Sequence, residues 1–197
     1  MSFLTFSAPC QIDLVEKKSR FIGLGYPCAS LAEFQRHRMN VEDEYHDASH
    51  VTYAYRIKES TNIVIGMSDA GEPKGTAGRP IYNHVEGNHL INGVLFVVRY
   101  FGGIKLGTGG LVKAYGNTAK LLLQASPLVP FVERSPLTVL LPYAEFNRFE
   151  YQMMKFQAQI VDKAFAGAMR CQLMVPNEQL PLLRQFIQDA FPLATIE

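Results

Sequence analysis

Two short stretches combine lysine, glycine and threonine at spacings suited to holding an anion. KGTAG at 74–78 and KLGTGG at 105–110 each read lysine, then glycine-threonine-small-glycine, then a helical pattern. Glycine permits tight turns and close approach to the backbone. Thr76 and Thr108 are the candidate caps. The first N–H groups of a helix point outward with the positive end of its dipole, so a phosphate is a natural guest. Thr76, Gly78, Thr108, Gly109 and Gly110 are therefore the expected backbone donors. Lys74, Arg79, Arg99, Lys105, Lys113 and Lys120 would neutralise phosphate charge. They face only Glu86 across residues 74–120, so that window carries +5 and the rest of a +1 chain carries −4. Neither stretch is a nucleotide signature. No glycine is followed by Lys-Ser or Lys-Thr, and Val112 stands where a dinucleotide fingerprint starting at Gly107 needs its third glycine. The same glycines also suit pure packing, and spacing alone does not choose between the two.

Other groups could do different chemistry. HDASH at 46–50 sets His46 and His50 four apart, a metal-like spacing on a helix. Here the segment runs from a helix end into a strand, so a hydrogen-bonded histidine pair is expected and no metal site. Ser68, Asp69 and Glu72 with His50 would make an acid–base set, but no nucleophile elbow accompanies them. His84 and His89 read as surface residues. No cofactor is expected.

These groups need elements to position them. Residues 11–27 are strand-rich, with Gly23 and Gly25 suggesting a bend or bulge. Ser30 and Glu33 form a capping box before Phe34, Arg38 and Val41 at helical spacing. HVTYAYRIK alternates as a half-buried strand, and NIVIGM follows it across a short polar turn. A loop at 68–80 leads to a short helix around Ile81 and Val85 that stops near Gly87. GVLFVVRYF is a buried strand, and 109–125 the next helix. In that helix Lys113, Asn117, Lys120 and Gln124 line one face, with Leu111, Tyr115, Thr118 and Leu122 on another. Gly116 sits mid-helix, which suggests close packing against a neighbour. Residues 126–136 hold three prolines and read as a linker. Beyond it PLTVLLP is a strand and YAEFNRFEYQMMKF a helix. QIVDKAFA and AMRCQLMV form a hairpin around Gly167. NEQLPLLRQFIQDAF is a helix with Asn177 as cap and Pro181 in its first turn, and PLATIE an edge strand. That order, β-α-β-β-α-β, is the ferredoxin-like string. The boundary falls between 1–130 and 131–197.

Composition narrows the class. Across 197 residues, 48% are hydrophobic and 19% charged, an ordinary globular balance. Cys10, Cys28 and Cys171 lie far apart without a CxxC pair, which fits a reducing, cytoplasmic setting. The first residues lack a basic stretch before a long apolar core, so no signal peptide is expected. No apolar run is long enough for a membrane helix.

KKSRF at 17–21, HDASH at 46–50, SDAGEPKGTAGRP at 68–80 and VVRYFGGIKLGTGGLVKAYG at 97–116 together resemble the IMPACT family, its bacterial branch in particular. The resemblance implies an α+β chain. Its first domain would be of the split β-α-β kind shared with a ribosomal protein and domain four of elongation factor G. Its second would be ferredoxin-like, similar to domain five of that factor. It implies contact with RNA or the ribosome and a part in regulating translation. Eukaryotic relatives modulate a stress kinase through an added N-terminal domain, so that partner is not carried over. The expectation is thus a non-catalytic RNA- or ribosome-binding protein, with Arg20 joining the basic set if its strand lies beside the motif. An enzyme acting on a nucleotide or phosphorylated small molecule, and a module binding a protein partner, are the alternatives.

Overall fold

The helix cap at Ser30 forms as its spacing predicts, while Glu33 reaches back one residue beyond it. The Ser30 hydroxyl accepts from the Glu33 N–H at 3.2 Å, and Glu33 Oε2 accepts from the Ala29 N–H at 2.7 Å. The structure, a computed structural model, describes residues 3–59, 62–165 and 167–197. The polar turn expected at Ser60 and Thr61, and Ala166 of the later hairpin, lie outside the described residues.

The chain divides into two units, Met1–Phe131 and Val132–Glu197. The first runs β1 (Leu4–Phe6), β2 (Cys10–Glu16), β3 (Ser19–Pro27), α1 (Leu31–Glu44), β4 (His50–Glu59), β5 (Asn62–Ser68), α2 (Gly78–Gly87), β6 (Gly93–Tyr100), α3 (Gly107–Ala125) and β7 (Leu128–Pro130). Five strands form an antiparallel sheet in the order β2-β3-β6-β4-β5. β6 lies at its centre and is buried on both faces, which is why its sequence is continuously apolar. Leu95 and Val97 pack with Ile81 and Tyr115 on the α2–α3 side. Val94, Phe96 and Val98 pack with Phe34 and Val41 of α1 on the other. Side chains alternate across a strand, so Arg99 follows Leu95 and Val97 onto the α2–α3 side.

The second unit is ferredoxin-like. It runs β8 (Arg134–Leu141), a 3₁₀ turn (Tyr143–Glu145), α4 (Phe146–Lys155), β9 (Gln159–Phe165), β10 (Met169–Pro176), α5 (Leu180–Ala190) and β11 (Thr195–Ile196). The sheet order is β11-β8-β10-β9. Phe149 and Met153 of α4 and Leu183 and Ile187 of α5 bury against Val139, Cys171 and Leu173. The whole fold is α+β, as the element string implies.

Three details differ from the reading of the sequence. β2 and β3 pair without a register shift. Gly23 and Gly25 instead make room for neighbours: a Cβ on Gly25 would lie 2.7 Å from the Phe6 ring, and one on Gly23 3.0 Å from Thr118 of α3. Part of the expected linker is a strand, since β7 pairs with β1. Asn177 does not cap α5; Gln179 holds that position, and Asn177 Oδ1 accepts from the Ser135 hydroxyl. Among the described residues, no helix is long and apolar enough to cross a membrane.

Candidate functional site

The upstream glycine turn carries its own anion. It leaves β5 at Ser68 and reaches α2 at Gly78. Asp69 Oδ2 accepts from the Gly75 N–H at 2.7 Å, while Oδ1 accepts from Ala77 at 3.0 Å and Gly78 at 2.9 Å. Burial pushes the Asp69 carboxyl up, but the three N–H donors outweigh it and hold it below the ordinary aspartate value. Thr76 is buried and is no cap; its hydroxyl donates to the Pro73 carbonyl at 2.7 Å. Gly78 has no room for a side chain, because a Cβ would meet the Ser68 backbone at 2.9 Å. The donors of Gly78 and its neighbours are thus committed within the chain. The sequence reading that offered Thr76 and Gly78 to an outside phosphate is corrected by this loop closure.

The downstream turn is built differently. After β6, the Phe101 N–H donates to Ser49 Oγ at 3.0 Å and the Gly102 N–H to Ser19 Oγ at 3.2 Å. A Cβ on Gly102 would collide with the Lys18 backbone, so only glycine fits. Gly103 and Gly107 hold φ of 81° and 73°, left-handed conformations that favour glycine. Among the described residues, α3 then starts behind Leu106 without a side-chain cap. Thr108 lies inside the first turn of the helix, not at its cap. Gly107, Thr108 and Gly109 are exposed. Gly109 has neither a positive φ nor any neighbour that a Cβ would meet. The fold gives no reason for glycine there.

A buried ion pair ties the two turns together. Arg99 Nη1 donates to Glu72 Oε1 at 2.6 Å, and the Tyr115 hydroxyl donates to the same oxygen at 2.7 Å. His50 Nδ1 donates to the Ala70 carbonyl at 2.8 Å, which leaves Nε2 facing Glu72 Oε1 at 3.8 Å. Burial, then the Glu72 bond, push the Tyr115 hydroxyl far above the ordinary tyrosine value. Arg99 is 5% exposed, and its guanidinium lies 5.5 Å from the ring centres of both Phe21 and Phe101. Arg99 is therefore not a surface phosphate contact. It forms the floor of the site, with its charge balanced by Glu72 and its Nε without a hydrogen-bond partner among the described residues.

Two clefts open on either side of Leu106. One, of about 530 Å³, is bounded by His50, Glu72, Phe101, Lys105 and Thr108. The other, of about 440 Å³, is bounded by Lys17, Gly109, Gly110, Lys113 and Asn117. The structure thus brings Lys105, Thr108, Gly109, Gly110 and Lys113 around one helix end. Lys120 is exposed farther along the same face of α3, with Asn117 and Gln124. Lys74 and Arg79 are exposed at the other turn, with Arg79 over the Tyr82 ring at 5.6 Å. Arg20 lies in register with Tyr100 of β6, but Asp13 accepts its Nε at 2.9 Å. His46 binds the Asp43 carbonyl and His50 that of Ala70, so the HDASH pair shares no ligand. His84 is half-buried rather than at the surface, and faces Gly116, whose Cβ would lie 3.5 Å from its Nε2.

Two residues escaped the reading from sequence. Lys17 and Lys18 form the whole turn between β2 and β3, at φ of 46° and 66°. A two-residue hairpin with both residues at positive φ favours Asn-Gly or Gly-Gly. Two lysines there are strained, and Lys17 lines the cleft beside Lys113. The signal was a basic pair sitting where a turn pair belongs.

Known proteins are similar to this chain. The family model for the Impact N-terminal domain matches residues 17–123. A Haemophilus influenzae IMPACT family member is 35% identical over 150 residues, spanning 76% of this chain and 73% of its own. The Escherichia coli IMPACT family member YigZ is 31% identical over 204 residues, spanning 100% and 98%. A crystal structure of a hypothetical protein matches with a TM-score of 0.68 at 27% identity, over 100% of this chain and 97% of that one.

Proposed function

The chain belongs to the IMPACT family, and from that premise we propose that it is a non-catalytic, cytoplasmic protein that binds RNA or the ribosome and modulates translation. The observation that carries the reading is the uncapped N-terminus of α3, exposed among Lys17, Lys105 and Lys113. Its free N–H groups and the three lysines supply backbone donors and charge without reading a base edge, which is how proteins grip phosphate. Lys18 in the β2–β3 turn and Lys120 farther along α3 add exposed charge, as do Lys74 and Arg79 at the other turn. The part in translation comes from the family resemblance. The acid–base alternative loses a group, because Asp69 accepts three backbone N–H donors and is not placed to take a proton from a substrate.

Salt titration of RNA binding tests the proposal. Each phosphate contact on a single strand contributes a slope of about 0.7 in log affinity against log salt. Lys105→Ala with Lys113→Ala should reduce the slope by roughly 1.4. Lys74→Ala with Arg79→Ala should reduce it less. Ribosome co-sedimentation of the wild type and both pairs gives the second readout. If the first pair leaves RNA and ribosome binding unchanged, the assignment is wrong.

A further inference from the structure

We propose that the cleft between His50 and α3 takes one unstacked nucleotide of a single strand, its base on Phe101 and its phosphate at the start of α3. This rests on the RNA-binding reading of the same turn and names the form of RNA it accepts.

Size comes first. About 530 Å³ lies within the range of small-molecule sites, and it is concave. A base inside a duplex is stacked and paired and cannot enter such a recess; a single-stranded base can swing out and do so. The wall is the second point. Phe101, Leu106 and Leu111 give the cleft an apolar side. Phe101 is 49% exposed, unusual for a phenylalanine beside a buried strand, yet it is held in place. Its N–H donates to Ser49, and its ring lies 5.5 Å from the Arg99 guanidinium. A ring fixed from behind by a cation offers its open face to a base.

Charge is the third point. Glu72 cancels Arg99 on the floor, so Lys105 and the open end of α3 set the sign of the cleft, and it suits an anion. Arg99 itself lines the cleft, though its Nε, without a hydrogen-bond partner among the described residues, is buried beneath the surface. His50 adds Nε2 at the opposite side, since Nδ1 is held by Ala70. A phosphate at Gly107 and Thr108 with a base over Phe101 uses the basic side and the apolar side together.

The test compares a short fluorescein-labelled RNA strand with its duplex. The wild type should bind the strand more tightly. Phe101→Ala and Phe101→Leu should each weaken strand binding by about tenfold and leave the duplex unchanged. Phe101→Trp should restore it. The chain has no tryptophan, so the indole emission of the Phe101→Trp variant is a unique reporter that an unlabelled single strand should quench. Equal losses for strand and duplex, no loss for either, or unquenched emission on saturation would overturn the nucleotide site while leaving RNA binding in place. If neither RNA binds, or binding ignores salt, the RNA-binding reading itself fails and the inference falls with it.

Discussion

KGTAG and KLGTGG place the same residue types before α2 and α3, yet the two helix ends are in opposite states. At α2 a carboxylate six to nine residues upstream curls back and accepts three N–H groups. At α3, among the described residues, no side chain accepts from the N–H groups of the first turn. The first glycine, Gly78, is required by a backbone it nearly touches; the second, Gly109, is required by nothing. A glycine-rich helix start thus means little until its anion is located. When the chain supplies that anion, the turn is architecture; when it does not, the turn is available to a guest.

The largest expected effect concerns the link between the turns. Glu72→Ala leaves Arg99 as an uncompensated buried charge and should cost about 3–5 kcal/mol, measured by urea denaturation. Were the loss under about 1 kcal/mol, as for a surface pair, the turns would be independent. Asp69→Ala comes next, at about 1–2 kcal/mol, the usual loss of a helix cap. It should also turn the closed site into an open one, so phosphate should raise the variant's melting temperature more than the wild type's. The sign with pH follows. Asp69 is held below its ordinary value of 3.8, so its contribution is present above that value and is lost as pH falls through the lower, folded one. The variant should therefore show a flatter acid limb.

The glycines sharpen the contrast. Gly78→Ala overpacks against Ser68 and should destabilise by about 1–3 kcal/mol. Gly109→Ala should stabilise α3 by up to about 1 kcal/mol while weakening RNA binding. Calorimetry and RNA titration on both variants check the opposite signs. The smallest effect lies where α2 and α3 meet. Burial first, then Lys120, lowers the His84 value below 6.5. The folded state then resists protonation, so stability should decline as pH drops through 6.5 toward the folded value. His84→Gln should remove that decline in a pH series of melting curves.

Much of this was legible in advance. Hydrophobic period and turn residues are local, and they placed most strands and the helices, while of the expected caps only Ser30 formed. The Lys113–Gln124 face is exposed and the Leu111–Leu122 face buried because both follow the helical repeat. What was hidden depends on closure in three dimensions. Asp69 caps α2 only because Ala70 and Gly71 turn through positive φ. Arg99 had a readable sign: an arginine ending a strand buried on both faces needs a carboxylate, and the alternation of β6 chose the side where Glu72 waits. Phe101 is an ordinary aromatic in sequence, and only its held, half-exposed ring beside the cleft sets it apart.

The pairing of β1 with β7 also shapes how the chain is made. Leu4 takes its place opposite Pro130, far along the chain, and β3 waits for β6 with Arg20 opposite Tyr100. Such distant partners close slowly because the intervening loop entropy is lost before the contacts form. Phe6, whose ring fills the space left by Gly25, is made well before Leu128, its partner in β7. A nascent chain stopped short of β7 therefore carries an unlatched β1, an opening for chaperones and proteases that shuts only when residues 128–130 emerge.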